Sequence, residues 1–532
     1  MTTEHRLRFV VDHGTATVAA ALLAELDGRW RLLAAGAVPA AVGADALLID
    51  LLHGVRTADA TLGHTLPPAG RAPGLPRHES RSAPPPTVAI LGASDRRRDS
   101  LAVVARSAGL RVPADGPTGH IVDAIGAALR PEVGVVIAGS GRSPTADERG
   151  RTDELLAAVA SIATRRPDLT IVVSGALASR ASAVAPEVRL VSAAPAGESA
   201  ADDLALRETL LEVALAPDAT RRGIAAAIRD LALLLERRVE VVEVGADGGL
   251  RALAWPSGEG AVETEARVAV VADGALVPPV ADDGVVDAIA AWSTMGLDRV
   301  RLRDRLAELR AVPWGEADGE GALLRLAAAR AAVGRIVAAA PDFDALPSPD
   351  LVIAAGGAWM GPPPPAVALA LIDVIRRPGA VQLSLDHARL LGPLGLIADP
   401  EDRRSLLAGA VDDLLLPLGS AIVPRGLRPS RGGPGRLVLR HADGTTVSVE
   451  LEANGVQLVD LPPGAEAVAE LDLRDAADLG TRGRRFAMSV SGGLGGLLVD
   501  LRDIPIRLPS RLDRRREQLA AWQRPLWPEA ER

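Results

Sequence analysis

Cysteine, tyrosine and lysine are all missing from the 532 residues. Without cysteine there are no disulfides, no Fe–S clusters, no thiolate zinc sites and no thiol nucleophile. Without lysine there is no Walker A loop, no pyridoxal Schiff base and no protein-kinase lysine. Every permanent positive charge on a side chain is therefore an arginine. Aromatic residues amount to 2%, so stacking platforms for single-stranded nucleic acid are scarce. The net charge of −9 comes from interspersed signs and gives no basic face for a nucleic-acid partner. Residues 1–14 contain no long apolar run, so no signal peptide is expected. The uncharged stretch from Leu351 to Ile372 is long enough to span a bilayer, but Gly356-Gly357 and the prolines at 362–365 break any spanning helix. Its sequence reads as buried loop and helix, and the chain as a soluble cytoplasmic protein with no membrane partner.

What is present is apolar material for several cores, 48% of the chain. Leu7, Phe9 and Val11 alternate with Arg6, Arg8 and Val10, which predicts a strand. Asp12 and Gly14 end it, Val18 to Leu26 reads as a second strand, Asp27-Gly28 is a hairpin turn, and a third strand follows from Trp30. Residues 66–86 are rich in Pro, Gly, Arg and Ser and read as a loop or disordered linker. From Thr87 to about 218, apolar runs alternate with helical patterns, as in a parallel α/β layer. After two helices the opening pattern returns: Val239 to Val244 is a strand, Asp247-Gly248-Gly249 a turn, and Leu250 to Trp255 a strand. Strand, acid, glycine turn and strand thus occur twice, which predicts an internal duplication. Beyond Gly426 the texture changes to short alternating strands with Asp443-Gly444 and Asn454-Gly455 turns, read as a separate small β-rich domain over 426–510. A basic helix and tail close the chain at 511–532.

A carboxylate and a glycine at the end of a strand have a chemical logic. Glycine lets backbone N–H groups approach phosphate oxygens, and the carboxylate can hold Mg²⁺ through water. Asp12, Gly14, Thr15 and Thr17 offer that set in the first copy. Glu243, Gly245, Gly248 and Gly249 offer it in the second, without hydroxyls. Gly356-Gly357, after the apolar run 351–355, reads as a strand-to-helix turn of the kind that receives nucleotides. Ala138-Gly139-Ser140-Gly141 is similar. The glycines at 492, 493, 495 and 496 read as β-turn positions. None of the eight histidines forms a metal-spacing pair; His13 is the one beside a candidate acid.

The C-terminal half resembles the MutL-type accessory proteins of glutamate (methylaspartate) mutase. The resemblance lies in LVIAAGGAWM at 351–360, LSLDHARLLGPLGLIADP at 383–400, DLLLPLGSAIVPRG at 413–426, and VSGGLGGLLVDLRDIPIRLP at 490–509 with the trailing RRREQLAAW. It implies an α/β fold with the duplicated, two-lobed core of actin, the Hsp70 chaperones and the sugar kinases (ribonuclease H-like), plus a small C-terminal β-rich domain. Residues 1–65 and 87–218 then belong to the first lobe and 219–425 to the second. It also implies ATP and Mg²⁺ as cofactors, with Asp12 and Glu243 as the metal-coordinating acids, and an adenosylcobalamin-dependent mutase as partner in a chaperone or reactivating role. The family's loops resemble Asp-x-Gly-Ser-Thr-x-Thr-Lys and Asp-x-Gly-Gly-Ala-Thr-Thr. Here the first keeps Asp12, Gly14 and the Thr15 hydroxyl but loses the later Thr and the Lys, and the second keeps no threonine. A cobalt-ligating Asp-x-His-x-x-Gly is absent, His120 lacking the Asp, so neither cobalamin nor zinc is expected. Three readings stand at this point: a nucleotide-binding accessory factor with degenerate loops, a non-hydrolysing scaffold that keeps the ATPase fold, and a small-molecule kinase.

Overall fold

The structure, a computed structural model, describes residues 6–59, 64, 66–113, 120–184, 189–258, 260–279, 281–312, 319–375, 377–427, 433–502 and 506–527. The chain forms two compact units. One comprises Met1–Ser82, Ala219–Val268 and Asp273–Arg532; the other comprises Ala83–Asp218 with Ala269–Ala272.

The first unit begins with an antiparallel meander, β1 (Leu7–His13), β2 (Thr17–Leu26) and β3 (Arg29–Pro39). Asp27 and Gly28 both take positive φ, 50° and 76°, the geometry that lets a two-residue turn follow the strand twist. Helix α1 (Ala44–Ala58) lays Leu48 and Leu52 on Phe9, Val11 and Leu22. A fourth strand, β4 (Arg77–Arg81), pairs in parallel with β1. It lies inside the segment that composition marks as loop. Its sequence, RHESR, has no apolar side chain, so its place is set by the backbone ladder and not by a buried face.

The second unit carries β5 (Thr87–Gly92), α2 (Asp95–Ser107), α3 (Ile121–Ala128), β6 (Val133–Gly139), α4 (Ala146–Arg165), β7 (Thr170–Ser174), α5 (Ala178–Val184), β8 (Arg189–Ala193) and α6 (Ala200–Leu215). Its four strands are parallel and lie in sequence order. Apolar runs such as Val135-Val136-Ile137 need cover on both faces. Helices α3, α4 and α5 cover one face and α2 and α6 the other. Residues 87–218 therefore have a sheet and two cores of their own, and none of these strands joins the β1–β4 sheet.

The chain returns to the first unit through α7 (Ala219–Leu235) and repeats the meander in β9 (Val239–Val244), β10 (Gly249–Pro256) and β11 (Thr264–Val271). Helices α8 (Asp283–Trp292), α9 (Arg299–Ala311) and α10 (Gly319–Ala339) follow. The uncharged stretch then divides into β12 (Leu351–Ala355), a 3-10 turn and α11 (Pro364–Val374). Among the described residues, no helix is long and apolar enough to cross a membrane. Next come β13 (Gly379–Asp386), α12 (Leu391–Gly395), α13 (Pro400–Leu414) and β14 (Leu415–Val423). The first sheet runs β3-β2-β1-β4, and the second begins β11-β10-β9-β12-β13. In both, the first strand is antiparallel to the second and parallel to the fourth. This repeated order is the duplicated ribonuclease H-like core of the actin, Hsp70 and sugar-kinase fold.

The last strands are β15 (Gly435–His441), β16 (Thr446–Leu451), β17 (Val456–Val459), β18 (Glu466–Asp478), β19 (Arg482–Ser491) and β20 (Leu497–Asp500), before α14 (Leu512–Gln523). Four of them make an antiparallel sheet, β16-β15-β18-β19. The region is not a separate domain, however. Strands β17 and β20 extend the large sheet beyond β14, and Ile422 of β14 shares one core with Leu437, Leu471 and Val499. With β20 apolar on both faces, it is buried in the large sheet and not left at an edge.

The missing lysine and scarce aromatics shape the core directly. Buried cations here are guanidiniums paired to carboxylates: Arg251 with Glu240, Arg330 with Asp373, and Arg502 with both Asp373 and Asp500. Arg251 lies 4.7 Å from the centroid of Phe343 and Arg502 lies 4.6 Å from that of Trp522, so the planar cations also supply stacking area.

Candidate functional site

The two carboxylates singled out by sequence occupy equivalent places. Asp12 is the penultimate residue of β1 and Glu243 the penultimate residue of β9, each beside the turn to the next strand. Both are buried, at 3% and 6% exposure. Helix α7 links them at its N-terminus. Thr220 Oγ1 donates to Asp12 Oδ1 at 2.7 Å, and the next residue, Arg221, donates from Nε to Glu243 Oε2 at 2.9 Å.

Asp12 has a full set of partners. Its Oδ1 also accepts from Ser80 Oγ of β4 at 2.9 Å, and its Oδ2 accepts from Arg389 Nη2. The other arm of Arg389 donates to Thr17 Oγ1 at 2.5 Å. Arg389 has φ 58°, a backbone conformation that costs a side-chain-bearing residue about 1–2 kcal/mol. Asp386, three residues earlier, caps the turn by accepting from Leu390 N at 2.9 Å and Leu391 N at 3.2 Å. Burial pushes the Asp386 carboxyl up to about 6; the two amide bonds and Arg389 oppose that shift, and the charge of Asp12 adds to it.

The turn glycines make room for these ion pairs. A Cβ on Gly14 would lie 2.5 Å from Arg389 Nη2. A Cβ on Gly245 would lie 2.7 Å from Glu243 Oε1 and 3.1 Å from Arg221 Nη2. So in each copy the acid-x-Gly turn packs on a guanidinium bound to its own acid. The helices that bring the arginines touch through backbone. A Cβ on Gly223 of α7 would be 1.8 Å from Gly392 O, and one on Gly395 of α12 would be 1.8 Å from Gly223 O.

The other sequence candidates divide. Gly356, φ 93°, packs against Val244 O beside the second hairpin, as β12 is the parallel neighbour of β9. Gly357 has open space at its Cα. Gly248 O accepts from Gly245 N at 2.9 Å and closes the turn. Gly249 makes room for the Ile336 side chain, a packing role. Thr15 is exposed. His13 Nε2 lies 3.4 Å from Glu79 Oε2 and away from the Asp12 cluster. Gly492, Gly493 and Gly495 lie against main chain at 461–462 and 418–419. Ser140 Oγ accepts from Leu177 N at 3.1 Å, which ties that loop to the turn after β7.

Arg221, Arg389, Thr220, Ser80 and Asp386 were not among the sequence candidates. The two arginines share one local pattern, which Thr220 and Ser80 do not. Asp218-x-x-Arg221 and Asp386-x-x-Arg389 repeat one spacing, each followed within three residues by a glycine, Gly223 or Gly392.

This donor set does not suit Mg²⁺. A hard divalent cation takes several oxygen ligands with room for waters, whereas each acid here is bound to a guanidinium. Among the described residues, no group of three or more His, Asp or Glu is arranged to hold a metal ion.

No family model matches the chain, and no curated protein matches it. Among solved structures it is similar to component A of (R)-2-hydroxyglutaryl-CoA dehydratase from Acidaminococcus fermentans, at 9% identity and a TM-score of 0.23, covering 73% of this chain and 95% of that one. It is also similar to a nucleotide-free acetone carboxylase, at 12% identity and a TM-score of 0.29, covering 84% and 81%. Glucokinase from Balamuthia mandrillaris in complex with glucose gives 11% identity and a TM-score of 0.23, covering 77% and 94%. These likenesses are too loose to bear on function, and the fold rests on the repeated strand order.

Proposed function

We propose that this chain is a non-hydrolysing accessory protein that keeps the two-lobed ATPase core as a scaffold for binding another protein. The observation that carries this reading is that both loop acids are tied to arginine, Asp12 to Arg389 and Glu243 to Arg221. To serve a metal–phosphate complex, each acid would have to leave a buried ion pair, and breaking such a pair costs about 3–5 kcal/mol. The partner class follows from the resemblance of residues 351–522 to the glutamate mutase accessory family: an adenosylcobalamin-dependent mutase. The chain contributes no corrinoid ligand of its own in this reading.

A second reading is favoured by one feature. Arg389 and Thr17 together put a guanidinium and a hydroxyl at the first hairpin, where the family resemblance calls for a lysine and threonines. In that reading the arginine swings from Asp12 to a phosphate, and ATP binds without metal. Calorimetric titration separates the two. Absence of binding at millimolar ATP fits the scaffold, whereas binding that persists in EDTA and disappears in Arg389→Met fits the arginine clamp.

A further inference from the structure

We propose that the second unit carries an oxyanion site that takes the phosphoryl group of a small phosphate monoester. The site is a cavity of about 230 Å³ beyond the carboxyl end of β5, bounded by Gly92, Arg98, His120, Ile121, Arg151 and Glu154. The volume lies below the range of about 300–1,000 Å³ typical of drug-sized ligands, so the occupant is small.

The charges select its chemistry. Arg98 is 7% exposed and Arg151 shares the same cavity. Burial holds the Arg98 guanidinium below its ordinary range, Asp99 opposes this, and the positive charge of Arg151 pushes it further down. Two like charges facing one small cavity are unfavourable until an anion sits between them. Asp95 pairs with Arg98 from a largely exposed position, where solvent weakens the pair, and Glu154 stands in the wall of the same cavity. Among the described residues, Arg151 reaches the Ala93 carbonyl alone, at 3.5 Å. Two guanidiniums present paired donors matched to a tetrahedral dianion. The imidazole of His120 stands on the same wall, at the start of α3, whose N-terminus has no side-chain cap. Gly92 keeps the strand end open to α2, since a Cβ there would lie 2.5 Å from Arg98 Cγ and 2.8 Å from Arg98 N.

The test is titration of the full chain with inorganic phosphate at fixed ionic strength, with sodium chloride and acetate as controls. The expected result is saturable binding with Kd below about 1 mM, weakened roughly tenfold to a hundredfold in Arg151→Met. Arg151 is exposed enough for the variant to fold, and its urea midpoint checks that it does. Glu154→Gln is expected to tighten binding severalfold, which a merely structural role would not produce. No saturable binding in the wild type, an equal response to chloride, or unchanged affinity in Arg151→Met would overturn the site. Acetate binding as tight as phosphate would overturn the phosphoryl assignment.

Discussion

Arg389 and Asp12 stand 377 positions apart in sequence and form a buried guanidinium–carboxylate pair. The pair joins the first hairpin to the turn after β13, and so joins the two repeats of the core. Arg221 and Glu243 pair within the second repeat, and the residue before Arg221, Thr220 at the N-terminus of α7, bonds Asp12 of the first.

Removing one member of that pair leaves a buried charge without its partner. Arg389→Met is expected to lower the unfolding free energy by about 3–5 kcal/mol, read from the urea midpoint at constant slope. Asp12→Asn in the same background is expected to recover part of the loss, since the orphaned charge is then gone. A loss below about 1 kcal/mol for the single variant would show that the pair does not hold the repeats together.

Asp386 gives the core a defined pH response. Its folded-state value of about 6 lies above the ordinary 3.8, so the folded state holds the proton more tightly. The contribution is complete below about pH 4 and is lost as pH rises through 6, on the order of 3 kcal/mol. Carboxylates held below their ordinary range by arginines, such as Asp350 and Asp413, act in the opposite sense. The informative quantity is therefore wild type minus Asp386→Asn, measured by urea unfolding from pH 4 to 7. That difference is expected to fall across the interval; a flat difference would contradict the shift.

Gly223 and Gly54 are both helical glycines with opposite expected outcomes. Alanine gains about 0.5–1 kcal/mol over glycine inside a helix. At Gly54 of α1 a Cβ meets nothing within 4 Å, so Gly54→Ala should stabilise by that amount. At Gly223 the Cβ would be 1.8 Å from a backbone oxygen, and such overpacking costs about 1–3 kcal/mol or more. Gly223→Ala should therefore destabilise despite its helix propensity. Equal effects at the two positions would mean that α7 and α12 do not pack through backbone.

The sequence exposes local order better than distant pairing. Both hairpins were readable because alternation and Asp-Gly or Gly-Gly turns act over a few residues. Strand β4 was not, since Arg77–Arg81 carries no apolar alternation and only its ladder to β1 makes it a strand. Strands β17 and β20 read as part of a local β domain because nothing in four residues names the sheet they will join. The acids Asp12 and Glu243 were found from their turns. Their arginines lie on other elements, 377 and 22 positions away, and the Asp-x-x-Arg spacing they share also occurs at 95–98, 298–301, 373–376 and 513–516, so it does not single them out.

The central claim is that arginine holds the place a metal–phosphate complex would need. Calorimetric titration of the wild-type chain with ATP, in Mg²⁺ and again in EDTA, with phosphate release followed in parallel, tests it most directly. The expected result is no binding that depends on Mg²⁺ and no phosphate release. Micromolar Mg-ATP binding with steady hydrolysis, both lost in Asp12→Ala and Glu243→Ala, would contradict it.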